Sequence, residues 1–267
     1  MRAFILAAGL GTRLRPLTER IPKPLVEIGG EPLIVRAVRQ LRAAGVSQIG
    51  VNLFHLGEQI PALLGDGGAL GVELTYFDER PEVLGTGGGL KHAEAFLGSG
   101  GQPFLLVNSD VWHDFDLRAL VLAHRAEALA TLAVHRMGRR PELHNVGCVP
   151  DLAGSERSLH RGSVVHIADA PAGTDATFRA IYTGVAVYAP RLLDFLPAGK
   201  VSGLVTHGLV PAMAAGEQVR FFAPHGSWFD CGTHAEVLRA SSHALRSRGL
   251  GMRVVGRATV PYGALQP

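Results

Sequence analysis

The chain has 267 residues, of which 47% are hydrophobic, with a net charge of +3 and two cysteines. That length and apolar share suit one large α/β domain or two small ones, and no apolar stretch reaches the roughly eighteen residues of a membrane span. The charge is mild and no lysine or arginine run stands out, whereas a nucleic-acid binder carries a concentrated basic stripe. Cys148 and Cys231 cannot supply a disulfide framework, and the twelve histidines show neither H-E-x-x-H nor a C-x-x-C context. The N-terminus lacks the basic region and apolar core of a secretory signal. A cytoplasmic protein with no membrane partner is expected.

In chain order, an apolar run ending at Leu6 reads as a buried strand. Residues 33–44 place Leu33, Ala37, Val38 and Leu41 at helical spacing, and Gly45 stops them. Strand 47–54 follows, then a short helix over 58–64 in which Pro61 is confined to the first turn or bends it. Strand 72–77, a helix over 88–96, strand 103–107, helix 117–126 and strand 130–135 complete the first part. Strands alternating with helices predict an α/β, Rossmann-like, doubly wound sheet that is mixed and mainly parallel. Residues 140–230 form a smaller, less regular lobe. Strands are expected at 145–149, 164–167, 181–188, 219–223 and 227–229, a polar mobile loop at 157–173, and helices at 191–196, 204–215 and 234–245. A single catalytic domain over 1–248 and a C-terminal tail over 249–267 result. The tail has the small-residue, six-spaced look of a β-helix coil, but such coils need stacked neighbours. An extended tail packed on the domain or on a second subunit of a homo-oligomer is the stronger reading, and a longer natural architecture stays open.

The chemistry concentrates in a few stretches. The run LAAGLGTRLRPLT over residues 6–18 breaks the first strand into a glycine-rich loop, with PKPL at 22–25 beyond it. Gly9 and Gly11 carry no Cβ to hold a ligand off the backbone. Backbone N–H groups flanked by Arg13 and Lys23 suit a polyphosphate. A dinucleotide-binding loop fits poorly: it needs G-x-G-x-x-G, Leu14 stands where the third glycine belongs, and Asn52 replaces the acidic residue at the end of the next strand. Asp110, in NSDVW at 108–112, lies just past an apolar strand, where ligands of an open α/β sheet gather. Asp230, in WFDCGT at 228–233, repeats that placement far downstream. Each could instead cap a following helix.

The first loop and PKPL together resemble the signature of the sugar-1-phosphate nucleotidyltransferases, which join a nucleoside triphosphate to a sugar 1-phosphate and release pyrophosphate. The resemblance runs over residues 1–245. It implies that Asp110 and Asp230 hold Mg²⁺, which takes few protein carboxylates and leaves its other positions to phosphate and water. Arg13 would grip the β- and γ-phosphates through its bidentate fork, and Lys23 would sit over the α-phosphate and sugar phosphate. Leu6, Ala7, Ala8, Gly9, Gly11, Thr12 and Asn108 would contact the nucleotide. Gly85, Thr86 and Gly87, in LGTGGG at 84–89, would meet the base, although such glycines also mark tight packing. On the sugar side, Gly147 in NVGCV and Thr183–Gly184 in YTGV match places where sugar hydroxyls approach backbone. Trp112 would either stack on the sugar or fill core. The Glu-Lys-Pro segment of many relatives, which grips the sugar phosphate, is missing, and Arg179 is the candidate substitute cation. The short length, the triple glycine and Asp110–Val111–Trp112 look most like the N-acetylmuramate-1-phosphate uridylyltransferases. Asn108–Ser109–Asp110 also looks like the mannose-1-phosphate guanylyltransferases.

Overall fold

The structure is a computed structural model that describes residues 1–136, 145–151, 160–167 and 176–249, together with the backbone of 252–255 and 258–261. Its elements are β1 (Arg2–Leu6), β2 (Glu27–Ile28), β3 (Glu31–Pro32), α1 (Leu33–Ala43), β4 (Gln48–Leu53), α2 (Gln59–Leu64), β5 (Glu73–Asp78), α3 (Gly85–His92), α4 (Glu94–Gly98), β6 (Phe104–Asn108), β7 (Val111–His113), α5 (Leu117–Ala123) and β8 (Ala130–His135). The second half adds β9 (Val146–Pro150), β10 (Arg161–Ile167), β11 (Phe178–Tyr188), α6 (Val210–Ala214), β12 (Val219–Phe222), β13 (Trp228–Asp230), α7 (His234–Ser247), β14 (Met252–Val255) and β15 (Ala258–Pro261).

Nine strands form one mixed sheet in the order β5-β4-β1-β6-β11-β8-β12-β10-β9. The β5-β4-β1-β6 half is parallel, and β11 joins it by running antiparallel to β6. Alternate residues of β1 bury on opposite faces, as the pleat requires. Ala3 and Ile5 pack with α1 and α5, and Phe4 packs against Leu90 of α3 and Leu97 of α4. A third, smaller core lies outside the sheet, where Leu14, Val26, Ile28 and Trp112 meet Ala240 and Ala244 of α7.

Several departures from the sequence reading bear on the site or its surroundings. The glycine-rich stretch 85–89 is the opening of α3, not a loop ahead of a helix starting at 88, and the expected helix 88–96 divides at Ala93. The expected helix 204–215 divides into a π-helical turn, Val205–Leu209, and α6. Pro211 has no N–H to continue an α-helical ladder there. Residues 191–196 are a 3₁₀ turn, Pro190–Phe195, and α5 stops at Ala123. β10 occupies the middle of the expected loop 157–173, and the described residues include neither 157–159 nor 168–173. The strands β14 and β15 of the tail pair antiparallel.

Candidate active site

Loop ends gather at the carboxyl termini of β1, β4, β5 and β6, as expected for an open α/β sheet. A pocket of about 160 Å³ opens there. Leu6, Ala7, Ala8 and Gly9 line it from the end of β1, Lys23 and Pro24 from PKPL, Gly85 and Thr86 from the start of α3, and Asn108, Ser109 and Asp110 from the end of β6. Nine of the predicted residues therefore share one cavity.

Two turns shape the phosphate side. Gly11 adopts φ of 62°, and an added Cβ there would lie 2.9 Å from the Thr18 methyl and 3.2 Å from Lys23 Cβ. The Thr18 hydroxyl donates to the Gly11 carbonyl at 2.8 Å, which closes the loop. Lys23 opens a 3₁₀ turn in which Pro24 follows as a favoured early-helix residue. Its side chain is 8% exposed, and its ammonium lies 2.6 Å from Asp110 Oδ2.

The two acidic motifs meet on a short ribbon. β7 and β13 pair antiparallel with Asp230 opposite Val111, and the Cys231 N–H donates to the Asp110 carbonyl at 3.0 Å. Asp110 and Asp230 are thereby brought to the same end of that ribbon. Neither is a helix cap: Asp110 leads into β7, and α7 is capped by Thr233, whose hydroxyl accepts from the Glu236 N–H. Arg13 is exposed and reaches the same neighbourhood. An added Cβ at Gly232 would lie 2.5 Å from its Nη2 and 2.9 Å from Asp230 Oδ1, so Gly232 leaves room for that guanidinium beside the carboxylate. Burial, with Asp110 next in importance, pushes the Cys231 thiol up to about 12, which keeps it protonated at neutral pH.

The other predicted residues divide. Gly87 faces the 202–203 segment rather than the pocket: its N–H donates to the Ser202 carbonyl at 2.8 Å, and a Cβ would lie 2.8 Å from Ser202 Oγ. Thr12 and Gly11 hold the loop outside the pocket lining. On the sugar side, β11 bulges between Tyr182 and Ala186, and Gly184 in that bulge has φ of 78°. Its missing Cβ would sit 2.5 Å from Asn108 Nδ2, so this turn presses on a pocket residue. Thr183 is buried and gives its hydroxyl to the Ala133 carbonyl at 2.8 Å. Trp112 is core, 3% exposed, under the Arg36 guanidinium and edge-on to Phe229 and His243. Arg179 pairs with Gly147 in the β9–β11 register and lies 3.3 Å from His166 Nε2, away from the pocket lining.

Sequence reasoning missed the lining residue Val83 and, of more consequence, the polar pair Asn52 and Glu79. Asn52 Oδ1 accepts from the Ala7 N–H at 2.6 Å, and Asn52 Nδ2 donates to Glu79 Oε1 at 2.7 Å. The signal that could have found them is position, since both stand at the carboxyl ends of parallel strands.

The sequence matches the Nucleotidyl transferase family model over residues 2–247. The chain belongs to that family, and is a nucleotidyltransferase. It is 36% identical over 244 residues to the N-acetylmuramate alpha-1-phosphate uridylyltransferase of Neisseria meningitidis, covering 91% of this chain and 98% of that protein. It is 33% identical to the mannose-1-phosphate guanyltransferase of Schizosaccharomyces pombe, covering 92% of this chain and 65% of that one. Among solved structures, UTP-bound UGPase from Acinetobacter baumannii superposes with a TM-score of 0.72 at 19% identity, over 92% of this chain and 93% of that chain, a likeness of fold. No helix among the described residues is long and apolar enough to cross a membrane.

Proposed function

We propose that the protein is a sugar-1-phosphate nucleotidyltransferase and that its substrates are UTP and N-acetylmuramate 1-phosphate, giving the UDP-sugar and pyrophosphate. The observation that carries the reaction class is the convergence of Lys23 and Asp110 in the pocket with Asp230, brought beside Asp110 by the β7–β13 ribbon, and with Arg13 next to Asp230. What supports the particular substrates is the match to nearly the full length of the Neisseria enzyme. The sequence match to the guanyltransferase keeps GTP with mannose 1-phosphate as the second reading.

A phosphate monoester has a second pKa near 6 and is mostly dianionic at neutral pH. The sugar phosphate therefore attacks the α-phosphorus without a general base, and pyrophosphate leaves in line. What the protein must supply is alignment and cancellation of charge between two anions. Lys23 holds the α-phosphate and the sugar phosphate, and Arg13 holds the departing β- and γ-phosphates. The first-loop backbone and the opening of α3 fix the nucleotide. Gly184, pressed against Asn108, faces the sugar, with the buried Thr183 beside it in β11, whereas Gly147 and Arg179 lie outside the pocket lining, where Arg179 meets His166.

The donor set fits Mg²⁺. Asp110 and Asp230 are hard oxygen ligands from adjoining strand ends, and no larger His, Cys, Asp and Glu cluster suited to a softer metal occurs among the described residues. When bound, Mg²⁺ would neutralise phosphate charge at these two carboxylates. The test is pyrophosphate release with Mg²⁺ from UTP, GTP, CTP, dTTP and ATP, each crossed with N-acetylmuramate, mannose, glucose and heptose 1-phosphates. Turnover with UTP and N-acetylmuramate 1-phosphate is expected; a strong signal only for another pair replaces the substrate assignment, and silence with folded protein refutes it.

A further inference from the structure

Asn52 and Glu79 close a hydrogen-bonded chain across the floor of the pocket. The Ala7 N–H donates to Asn52 Oδ1 at 2.6 Å, and Asn52 Nδ2 donates to Glu79 Oε1 at 2.7 Å. The other carboxylate oxygen, Oε2, accepts from the Leu84 N–H at 2.8 Å. Ala7 follows β1 on the phosphate side, and Leu84 is the residue before α3 on the base side. Both ends of the chain are backbone donors, which cannot reverse. Both side chains are buried, Asn52 to 2% and Glu79 to 4% exposure. The third glycine of the triplet belongs to the same device: a Cβ at Gly89 would lie 2.6 Å from Glu79 Oε1 and 2.8 Å from Asn52 Nδ2.

We infer that Asn52 and Glu79 are positioning residues that set the phosphate-side loop and the base-side helix terminus at the separation a nucleoside triphosphate requires. The inference rests on the nucleotidyltransferase reading above. Its logic is one of donors and acceptors. Two fixed donors can be bridged by two such side chains only when one is an amide and the other a carboxylate. With Glu79→Gln alone, the bridge has one acceptor too few and sets donor against donor. With Asn52→Asp alone, two acceptors face each other. With both exchanged, the new carboxylate at position 52 accepts from the Ala7 N–H and from the new amide at position 79, whose carbonyl accepts from the Leu84 N–H. The chain is whole again, with its single negative charge moved along it.

The experiment compares the protein with its Asn52→Asp and Glu79→Gln variants and with the double variant that carries both changes. UTP and GTP affinities are measured by calorimetry, thermal midpoints are taken in parallel, and the KM values for nucleotide and sugar phosphate are separated. Each single change is expected to weaken nucleotide binding by about ten-fold or more, the equivalent of one net hydrogen bond or its unmet partner. The sugar-phosphate KM should hold within about two-fold, and the double variant should recover most of the nucleotide affinity, since the pair is coupled. Folded single variants that bind nucleotide like the parent overturn the inference. So does a double variant that folds yet binds no better than the single ones. A parent protein that binds neither UTP nor GTP contradicts the substrate assignment proposed above, an outcome separate from these two.

Discussion

The Lys23 ammonium lies 2.6 Å from Asp110 Oδ2, joining a cation of PKPL to a carboxylate of NSDVW across 87 positions of sequence. Without substrate, each group answers the other's charge in a site where Lys23 is nearly buried. Substrate phosphates and a divalent cation would take over both roles. Lys23→Met keeps the apolar stem and removes the charge. We expect kcat to fall by about 10²–10³-fold, the usual cost of losing one preorganised charge-stabilising group. Mg²⁺ or Mn²⁺ should bind more tightly in calorimetry because the competing ammonium is gone. Unchanged turnover, or weaker metal binding, would place Lys23 outside the chemistry.

Gly184 is held at φ of 78° with Asn108 Nδ2 where a Cβ would be. Gly184→Ala should cost about 1–3 kcal/mol from the left-handed backbone alone, and it should push Asn108 into the pocket. A lower denaturation midpoint together with reduced turnover is the expected pair of results. A variant with parental activity would show that the bulge can relax without disturbing the site.

Trp112 and Thr183 are buried and lie outside the pocket lining. Thr183→Val leaves the Ala133 carbonyl without its donor and should cost about 1–3 kcal/mol; Trp112→Ala should cost about 3–5 kcal/mol, as for other buried aromatic truncations. Neither should raise the sugar-phosphate KM more than about two-fold in protein held below its unfolding temperature, because neither side chain lines the pocket. A large KM increase at parental stability would return them to the sugar site.

His113 supplies a pH dependence. Burial, and secondarily the Arg36 guanidinium, lower its imidazole to about 3 from an ordinary 6.5. Its Nδ1 accepts from the Phe115 N–H at 3.2 Å. Between those two values the unfolded chain binds a proton that the folded protein refuses, so stability rises with pH through this window and is lost as pH falls below about 6.5. His113→Asn should be less stable at pH 7 and lose less stability between about pH 6.5 and 4.5 in denaturant titrations. An unaltered slope would assign the acid sensitivity elsewhere.

What is legible in the sequence is what local patterning controls. α1 shows Leu33, Ala37, Val38 and Leu41 at helical spacing, and the expected strand 130–135 is β8 with the same bounds. The first loop, Asp110 and Asp230 are legible because each sits where a strand ends. The glycines of α3 are not legible as helix, since glycine disfavours helix; the 202–203 backbone, distant in sequence, and the Asn52–Glu79 pair impose it. The β7–β13 ribbon is illegible as a pair because three-residue strands 115 or more positions apart leave no periodic trace. Trp112 reads equally as stacking surface or core until α7, whose His243 meets its ring, is placed against it.

The most direct test of the central claim is pyrophosphate release from UTP and N-acetylmuramate 1-phosphate by the protein and by its Asp110→Asn variant, side by side, with folding checked by circular dichroism. Robust release by the parent and loss of about 10²-fold or more in a folded Asp110→Asn protein is the predicted result. Near-parental release by that variant would contradict the two-carboxylate site on which the account stands.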